Sequence, residues 1–214
     1  MRQISDVIAD LRNDRVLTDT KIVNYSWGDK TRCRELFQHL FRRLDPTVER
    51  YYEHLPEYDE IIDWMTNTRG KGLMLIGDCG RGKSIILTRI IPVLLGMQIK
   101  TRIYPIHASE FARVYVYAKS TMGFLPNDSN IIFLSKTEFP IIDELGVESM
   151  INDYGERYEG FNVVLNSAER RLVPVFVSTN LTEQQILDRY GERTMDRLAH
   201  LCRTIHFEGD SLRK

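Results

Sequence analysis

Short apolar runs alternate with segments of helical periodicity along most of the chain. The apolar runs predict strands at 72–76, 102–106, 139–142, 173–177 and 204–207. The periodic segments predict helices at 85–91, 109–119, 156–171, 182–190 and from 192 onward. Because most of these strands are apolar at every position, as in a parallel sheet buried on both faces, the pattern predicts an α/β fold.

Residues 1–66 lack strand signals and have apolar positions at helical spacing, with Pro46 and Pro56 between the segments. We predict a helical N-terminal extension over 1–56, a candidate partner-binding segment, and the α/β domain over 57–214. Arginines flank one apolar stripe at Arg32, Arg34, Arg42 and Arg43. They form either a solvated helix face or a docking surface for a partner protein or DNA phosphates.

The segment 77–84 has the form G-x-x-x-x-G-K-[ST], the phosphate-binding P-loop. A predicted strand precedes it and a predicted helix follows, so a chance glycine-rich turn is disfavoured. Its glycines let backbone N–H groups approach phosphate oxygens, and the helix N-terminus favours negative charge. Lys83 is predicted to reach the β- and γ-phosphates of ATP, and Ser84 to hold Mg²⁺. The predicted nucleotide-binding residues are Gly77, Asp78, Cys79, Gly80, Arg81, Gly82, Lys83 and Ser84.

Two acids, Asp143 and Glu144, follow the predicted strand at 139–142. In P-loop ATPases the first acid helps to hold Mg²⁺. A following glutamate can polarise the attacking water as a general base. We therefore assign Asp143 to the metal and Glu144 to the water. The pattern is common alone, but its place on the next clear apolar strand after the P-loop strengthens the assignment.

The strand at 173–177 is followed by a polar tip, which we expect beside the other strand ends at the carboxyl edge of the sheet. Asn180 would there orient the attacking water or contact the γ-phosphate. The alternative is a turn residue before a helix capped by Thr182. Arginines near the last elements would reach a phosphate on a neighbouring subunit, or form surface ion pairs.

The bulk composition restricts the partners and the compartment. Lys and Arg number 29 against 30 Asp and Glu, so no global basic field indicates nucleic acid, although a local patch is compatible with this balance. The 3 cysteines form no C-x-x-C pair, which argues against a disulfide framework or a zinc site and for the cytoplasm. The histidines lack metal-binding spacing, residues 1–6 do not begin a signal peptide, and no apolar run reaches the length of a membrane span.

Arg113 and Tyr117 share one face of the predicted helix at 109–119. If that face is exposed, they would neutralise phosphates and stack on bases of single-stranded DNA. The alternative is ordinary packing against the sheet.

The order of motifs resembles the AAA+ ATPases of the DnaC helicase-loader and IstB type over about residues 73–213. The resemblance rests on GDCGRGKS at 77–84, IIDELG at 141–146, VSTNLT at 177–182, YGERTMDRL at 190–198 and FEGDSLR at 207–213. It implies a three-layer P-loop NTPase (AAA+) fold with a five-stranded parallel sheet of order 5-1-4-3-2 and no C-terminal lid. The P-loop is shared by many ATPases, whereas the last three motifs are specific to this family.

The resemblance also implies roles for single residues. Asn180 matches the sensor asparagine. Arg197 matches the arginine finger that acts on ATP in the adjacent subunit, and Arg193 is a neighbouring candidate. Arg213 matches a terminal arginine that senses the nucleotide.

Three functions fit these features. The resemblance favours a slow, oligomerisation-stimulated ATPase that acts as a helicase loader on single-stranded DNA and a replicative helicase, self-associating through its ATP sites. The second is an ATPase that regulates a transposase and remodels duplex DNA. The third is a small-molecule phosphotransferase, against which Glu144 counts because a water-activating glutamate would waste ATP there.

Overall fold

The fold is that of a computed structural model, in which residues 23–45, 53–100, 102–111, 139–153 and 156–212 are described. Its helices are α1 (Lys30–Leu44), α2 (Pro56–Thr66), α3 (Lys83–Ile85), α4 (Ile91–Ile99), α5 (Gly160–Arg171), α6 (Glu183–Tyr190) and α7 (Glu192–Leu201). Its strands are β1 (Gly72–Gly77), β2 (Ile106–His107), β3 (Ile141–Leu145), β4 (Ile151–Asp153), β5 (Glu156–Tyr158), β6 (Phe176–Thr179) and β7 (Cys202–Phe207). The predictions for Arg113, Tyr117, Arg213 and the periodicity before residue 23 lie outside the described residues.

Five of these strands form one parallel sheet in the spatial order β2-β3-β6-β1-β7. If these five strands are counted along the chain, the order is 5-1-4-3-2, so the predicted sheet is confirmed. The strands β4 and β5 form a separate antiparallel hairpin.

The sheet separates two hydrophobic cores, which gives the three predicted layers. Leu73 and Leu75 of β1 point to one face, where α1, α2 and the helices after the P-loop pack. Met74 and Ile76 point to the other face, where α5, α6 and α7 pack. Both faces of β1 are therefore buried, as its continuous apolar run requires.

The helix α1 shares the core of the sheet. Cys33, Phe37 and Phe41 recur at helical spacing and are buried. The Phe37 and Phe41 rings each lie 5.3 Å from the ring of Tyr58 on α2. The boundary at residue 56 stays a prediction, but apolar contacts cross it, so this helix is packed as part of the same core.

Pro92 accounts for a π-helical turn, Ile86–Ile90, that joins α3 to α4. Proline has no N–H to donate to the carbonyl four residues earlier, and the helix widens there. The Thr88 hydroxyl also donates to the Ser84 carbonyl at 2.6 Å. The helical segment predicted at 85–91 is therefore present but not uniformly α-helical.

Three predicted elements were wrong in extent. The strand predicted at 173–177 begins only at Phe176 and runs to Thr179. In place of the strand predicted at 102–106, the chain forms a two-residue strand, Ile106–His107. The strand does not extend further back because Pro105 cannot donate to a strand ladder. The helix predicted at 156–171 begins at Gly160, and Glu156–Tyr158 instead pairs with Ile151–Asp153. Local hairpin pairing there replaces the first turn of the helix that the downstream apolar periodicity predicts. No helix among the described residues is long and apolar enough to cross a membrane.

The packing of α1 can be tested with Phe37→Ala. Because Phe37 has no exposed surface, we expect the free energy of unfolding to fall by about 3–5 kcal/mol. Denaturant unfolding followed by circular dichroism would measure it. The control is His39→Ala, an exposed position on the same helix, which we expect to change stability by no more than about 0.5 kcal/mol. A Phe37→Ala loss as small as the control's would show that α1 is not part of the cooperative core.

Candidate nucleotide-binding site

The P-loop leaves β1 at Gly77 and enters α3 at Lys83, so it lies at the carboxyl edge of the sheet. Gly80 and Gly82 have φ angles of 87° and 89°, a region that a side chain makes costly. A Cβ at Gly80 would lie 2.0 Å from Ser211 Oγ, and one at Gly82 would lie 3.0 Å from the Tyr58 hydroxyl oxygen. Conformation and space therefore both require glycine here.

Arg81 ties the P-loop to two distant segments. Its Nε and Nη2 donate to Glu57 Oε1 at 3.1 and 2.7 Å, and Nη1 donates to the Asp210 carbonyl at 3.2 Å. The Tyr58 hydroxyl donates to the Arg81 carbonyl at 3.3 Å. Arg81 and Glu57 are both buried. The Arg81 side chain therefore shapes the loop, which leaves its backbone as the group that can face a ligand.

The ammonium group of Lys83 lies within the loop, 2.6 Å from the carbonyl oxygens of both Gly77 and Asp78. Burial lowers the pKa of Lys83, and nearby negative charge, including Asp143 and Glu144, opposes that shift. The strand β6 pairs with both β1, which leads into the P-loop, and β3, which carries the acid pair. The two motifs that were predicted separately meet at one place.

Asp143 and Glu144 lie at a β-bulge near the carboxyl end of β3. Between 142 and 145, β3 has one residue more than the facing part of β6. Such a bulge bends the strand and re-aims its side chains. Glu144 has a φ of 58°, an uncommon value for a residue with a side chain. Backbone of this kind persists only where neighbouring groups hold it, and it is concentrated at functional sites.

Ser178 on β6 connects the bulge to the neighbouring strand. Its hydroxyl donates to Asp143 Oδ1 and accepts from the Glu144 N–H at 3.0 Å. Because Asp143 is buried, this bond satisfies a carboxylate that would otherwise be costly to remove from water. The sequence reasoning did not select Ser178, although a hydroxyl two residues before Asn180 on a buried strand was a usable signal.

His107 was also missed, and it contacts the predicted base. Its Nε2 lies 3.0 Å from Glu144 Oε2, and its Nδ1 lies 2.7 Å from Ser109 Oγ. The Ser109 N–H points at Nδ1 at 3.3 Å, which leaves Nε2 to donate to the carboxylate. The parallel pairing of β2 with β3 sets His107 opposite Asp143. A histidine at the end of a strand beside the acid strand was the available signal, but the strand was predicted to end one residue earlier.

Asn180 directly follows β6, and its Nδ2 lies 3.3 Å from Cys79 Sγ in the P-loop. The contact follows from the pairing of β6 with β1, in which Thr179 lies opposite Ile76. The sheet therefore brings Asn180 and the P-loop together.

The two candidate finger arginines differ in environment. Arg197 on α7 donates from Nε to Glu169 Oε2 at 2.7 Å and from Nη1 to Asn166 Oδ1, and its side chain is only 13% exposed. Arg193 is exposed at the start of the same helix and has no ion pair or side-chain hydrogen bond with the part of the chain that the structure describes. Arg197 is thus held within its own subunit, whereas Arg193 is open to a neighbour.

The oxygen donors fit a magnesium ion better than an all-protein metal centre. Within the described ranges, no group of three or more His, Cys, Asp or Glu side chains is placed to hold a metal. Mg²⁺ typically takes one or two protein oxygens and completes its shell with water and substrate phosphates. The Ser84 hydroxyl and the Asp143 carboxylate are donors of that kind.

No protein-family model and no curated protein matches the chain by sequence. Solved structures do match it by fold. The DnaC helicase loader matches with a TM-score of 0.55 at 14% identity, covering 78% of this chain and 98% of that one. A DNA replication initiation factor matches with a TM-score of 0.55 at 15% identity, over 78% of this chain and 51% of its own.

A third structure, the replication initiator DnaA bound to AMPPCP and single-stranded DNA, has a TM-score of 0.50 at 15% identity. That match covers 65% of this chain and 41% of DnaA. At such identities the likeness concerns the fold. It confirms the fold class predicted above: the chain has the same α/β fold as the DnaC helicase loader.

Proposed function

We propose that this chain is a DNA replication ATPase that binds ATP with Mg²⁺ and uses slow hydrolysis as an assembly switch for a replicative helicase on single-stranded DNA. The observation that carries the proposal is the convergence of the P-loop with Lys83, the acid pair and Asn180 at the carboxyl ends of three neighbouring strands. The fold neighbours, a helicase loader and an initiator bound to single-stranded DNA, support the setting.

Different residues of the chain would act in different steps of ATP hydrolysis. The P-loop amides and Lys83 would bind the β- and γ-phosphates, and Ser84 and Asp143 would hold Mg²⁺, which supplies charge neutralisation when bound. Glu144 would accept a proton from a water molecule. The oxygen of that water would attack the γ-phosphorus, and the bond from this phosphorus to the β–γ bridging oxygen would break. His107 orients Glu144 by holding Oε2, and Asn180 reaches the same site.

The compartment we propose is the cytoplasm. Cys33, Cys79 and Cys202 are free thiols, and Cys79 is exposed within the phosphate-binding loop itself. A thiol in that place is best preserved where the surroundings are reducing.

Lys83→Ala and Glu144→Gln separate binding from hydrolysis. We expect Lys83→Ala to lose ATP binding because it removes the cation at the phosphates. Glu144→Gln should bind ATP normally and hydrolyse it about 10²–10⁴-fold more slowly, the range for loss of a general base. Equilibrium binding of a fluorescent ATP analogue and phosphate release would measure the two effects. The control is Glu60→Gln, which alters an exposed carboxylate on α2 and should leave both unchanged. Wild-type turnover in Glu144→Gln would rule out Glu144 as the base.

The trans-acting arginine follows from the environments of Arg193 and Arg197. To reach a neighbouring γ-phosphate, Arg197 must leave Glu169 and Asn166, whereas Arg193 has no ion pair or side-chain hydrogen bond with the described residues to give up. We therefore favour Arg193 for the contact across subunits. Arg197, the residue implied by the family resemblance, would act only if assembly opens its ion pair.

Mixing variants tests this choice. Arg193→Ala should bind ATP but hydrolyse it about 10³–10⁵-fold more slowly, as for known arginine fingers. Mixing it with Lys83→Ala should restore part of the activity, because one subunit keeps the P-loop and the other keeps the arginine. Arg197→Ala should mainly lower stability, by about 1–3 kcal/mol for the lost charged hydrogen bonds. Phosphate release at several mixing ratios and thermal unfolding are the measurements. Complementation by Arg197→Ala, but not by Arg193→Ala, would reverse the assignment.

The identity of the protein partner can be tested by measuring which purified candidate proteins the chain retains. We expect the wild-type chain with ATP to retain the replicative helicase from the same genome. A transposase retained instead would favour the second function named above, and ATP-dependent phosphorylation of a small molecule without either partner would favour the third. The single-strand contacts of Arg113 and Tyr117 stay a prediction.

A further inference from the structure

A cluster of charged and polar side chains, three of them buried and Arg189 partly buried, lies against the loop that follows Glu144 and is not used by the hydrolysis mechanism above. We call it the acid-loop cluster; it contains Glu148, Glu159, Arg189 and Tyr190. Glu148 and Glu159 are 4% and 8% exposed, and Tyr190 is 6% exposed. Burial of this much charge is costly unless every group is paired, so a cluster like this needs a reason to be present.

Arg189 is the centre of the acid-loop cluster. Its Nε and Nη2 donate to the two carboxylate oxygens of Glu159 at 3.0 and 3.3 Å. The same guanidinium also donates to two backbone carbonyls, that of Glu148 at 2.6 Å and that of Gly146. A planar guanidinium can serve these directions at once, which an ammonium group cannot. Burial acts to lower the pKa of Arg189, but the hydrogen bond to Glu159 and the charge of Glu148 outweigh it and raise the pKa.

Glu148 makes a further hydrogen bond to the backbone of Gly146. Its Oε2 accepts from the Gly146 N–H at 2.7 Å, and its Oε1 accepts from the Tyr190 hydroxyl. The Glu148 side chain has no exposed surface. Side chains of the acid-loop cluster therefore bind both the N–H and the C=O of Gly146, two residues after Glu144.

The rest of the loop is fastened to the same part of the fold. The Thr179 hydroxyl donates to the Leu145 carbonyl at 2.6 Å. A Cβ at Gly146 would lie 2.7 Å from Leu181 Cδ1, and Gly146 has a φ of 112°, so the backbone passes close to the segment after β6. Residues 144–148 are thus held by the β6–α6 unit, which also carries Asn180.

We infer that Arg189 is a positioning residue for Glu144, an inference that rests on the proposed ATPase function. Glu144 keeps a left-handed backbone conformation that is costly for a side-chain-bearing residue. Arg189 holds the backbone just after it and thereby fixes the direction of the Glu144 carboxylate. It also keeps that carboxylate in register with Asn180, because α6 begins directly after the Asn180 turn.

The test compares Arg189→Gln and Arg189→Lys with wild type. We expect Arg189→Gln to bind ATP within about threefold of wild type but to turn it over about 10–100-fold more slowly, the scale for misplacing a reacting group by about 1 Å. Arg189→Lys keeps the charge without the planar fork, so we expect a smaller loss and retained folding. The matched control is Arg203→Gln, which removes an arginine from a half-exposed ion pair with Glu60 and should behave as wild type.

Measuring Arg189→Gln in a chain that also carries Glu144→Gln separates a positioning role of Arg189 from a general loss of structure. If Arg189 acts through Glu144, Arg189→Gln should cause no further loss of single-turnover rate in a Glu144→Gln chain. An equal loss in both backgrounds overturns the inference, and so does wild-type turnover of Arg189→Gln.

Hydrogen–deuterium exchange without nucleotide gives a readout that does not need hydrolysis. We expect faster exchange of amides 144–148 in both Arg189 variants and no change in the Arg203→Gln control. A wild-type chain that hydrolyses no ATP would defeat the proposed function, and loop exchange would then decide the structural claim alone. Unchanged exchange of 144–148 in Arg189→Gln overturns it.

Discussion

The parallel pairing of β3 with β6, with one extra residue on β3, is the constraint on which the candidate site depends. The extra residue places Asp143 and Glu144 in a bulge instead of a regular ladder. Ser178 then bonds to both acids from the neighbouring strand. Since β6 also pairs with β1, the same strand aligns the acids with the P-loop. A change in register at β6 would therefore separate the acid pair from Ser178 and from the P-loop.

The P-loop is a second place where distant parts of the chain meet. Glu57 Oε1 accepts from the Arg81 guanidinium and from the Glu208 N–H at 3.2 Å. A buried ion pair of this kind adds little stability over an apolar pair, but it tolerates few alternative arrangements. The aromatic rings of α1 and α2 supply the apolar stabilisation around it. The loop is thus shaped by charge and held by packing.

The elements predicted correctly are those whose signal is local. The P-loop lies between its predicted strand and helix, and Thr182 and Gln185 form the capping box that starts α6. The sheet order followed from the family resemblance, since periodicity alone does not specify which strands are neighbours. The hairpin of β4 and β5 was missed because its short strands gain stability only by pairing with each other.

The site was predictable in its motifs and not in its cross-strand contacts. Asn180 followed from its strand end and motif, whereas His107 required the register of β2 against β3. The ion pair of Arg197 joins α7 to α5, and neither helix alone carries a sign of it. Residues that act through partners distant in sequence leave no local pattern, so the acid-loop cluster was not visible before the fold.

The hydrogen bonds of Arg81 have a consequence for the synthesis of the protein on the ribosome. Arg81 and the Asp210 carbonyl are 129 positions apart in the sequence, and Glu57 and the Glu208 N–H are 151 apart. The ribosome adds the residues of the P-loop long before it adds the C-terminal residues that pack around the P-loop. The nascent chain therefore carries a complete motif without a shaped site until residues 208–210 have been synthesised. A product terminated shortly before them would keep Lys83, both acids and Asn180, yet it would lack the backbone contacts that hold the P-loop in its folded shape.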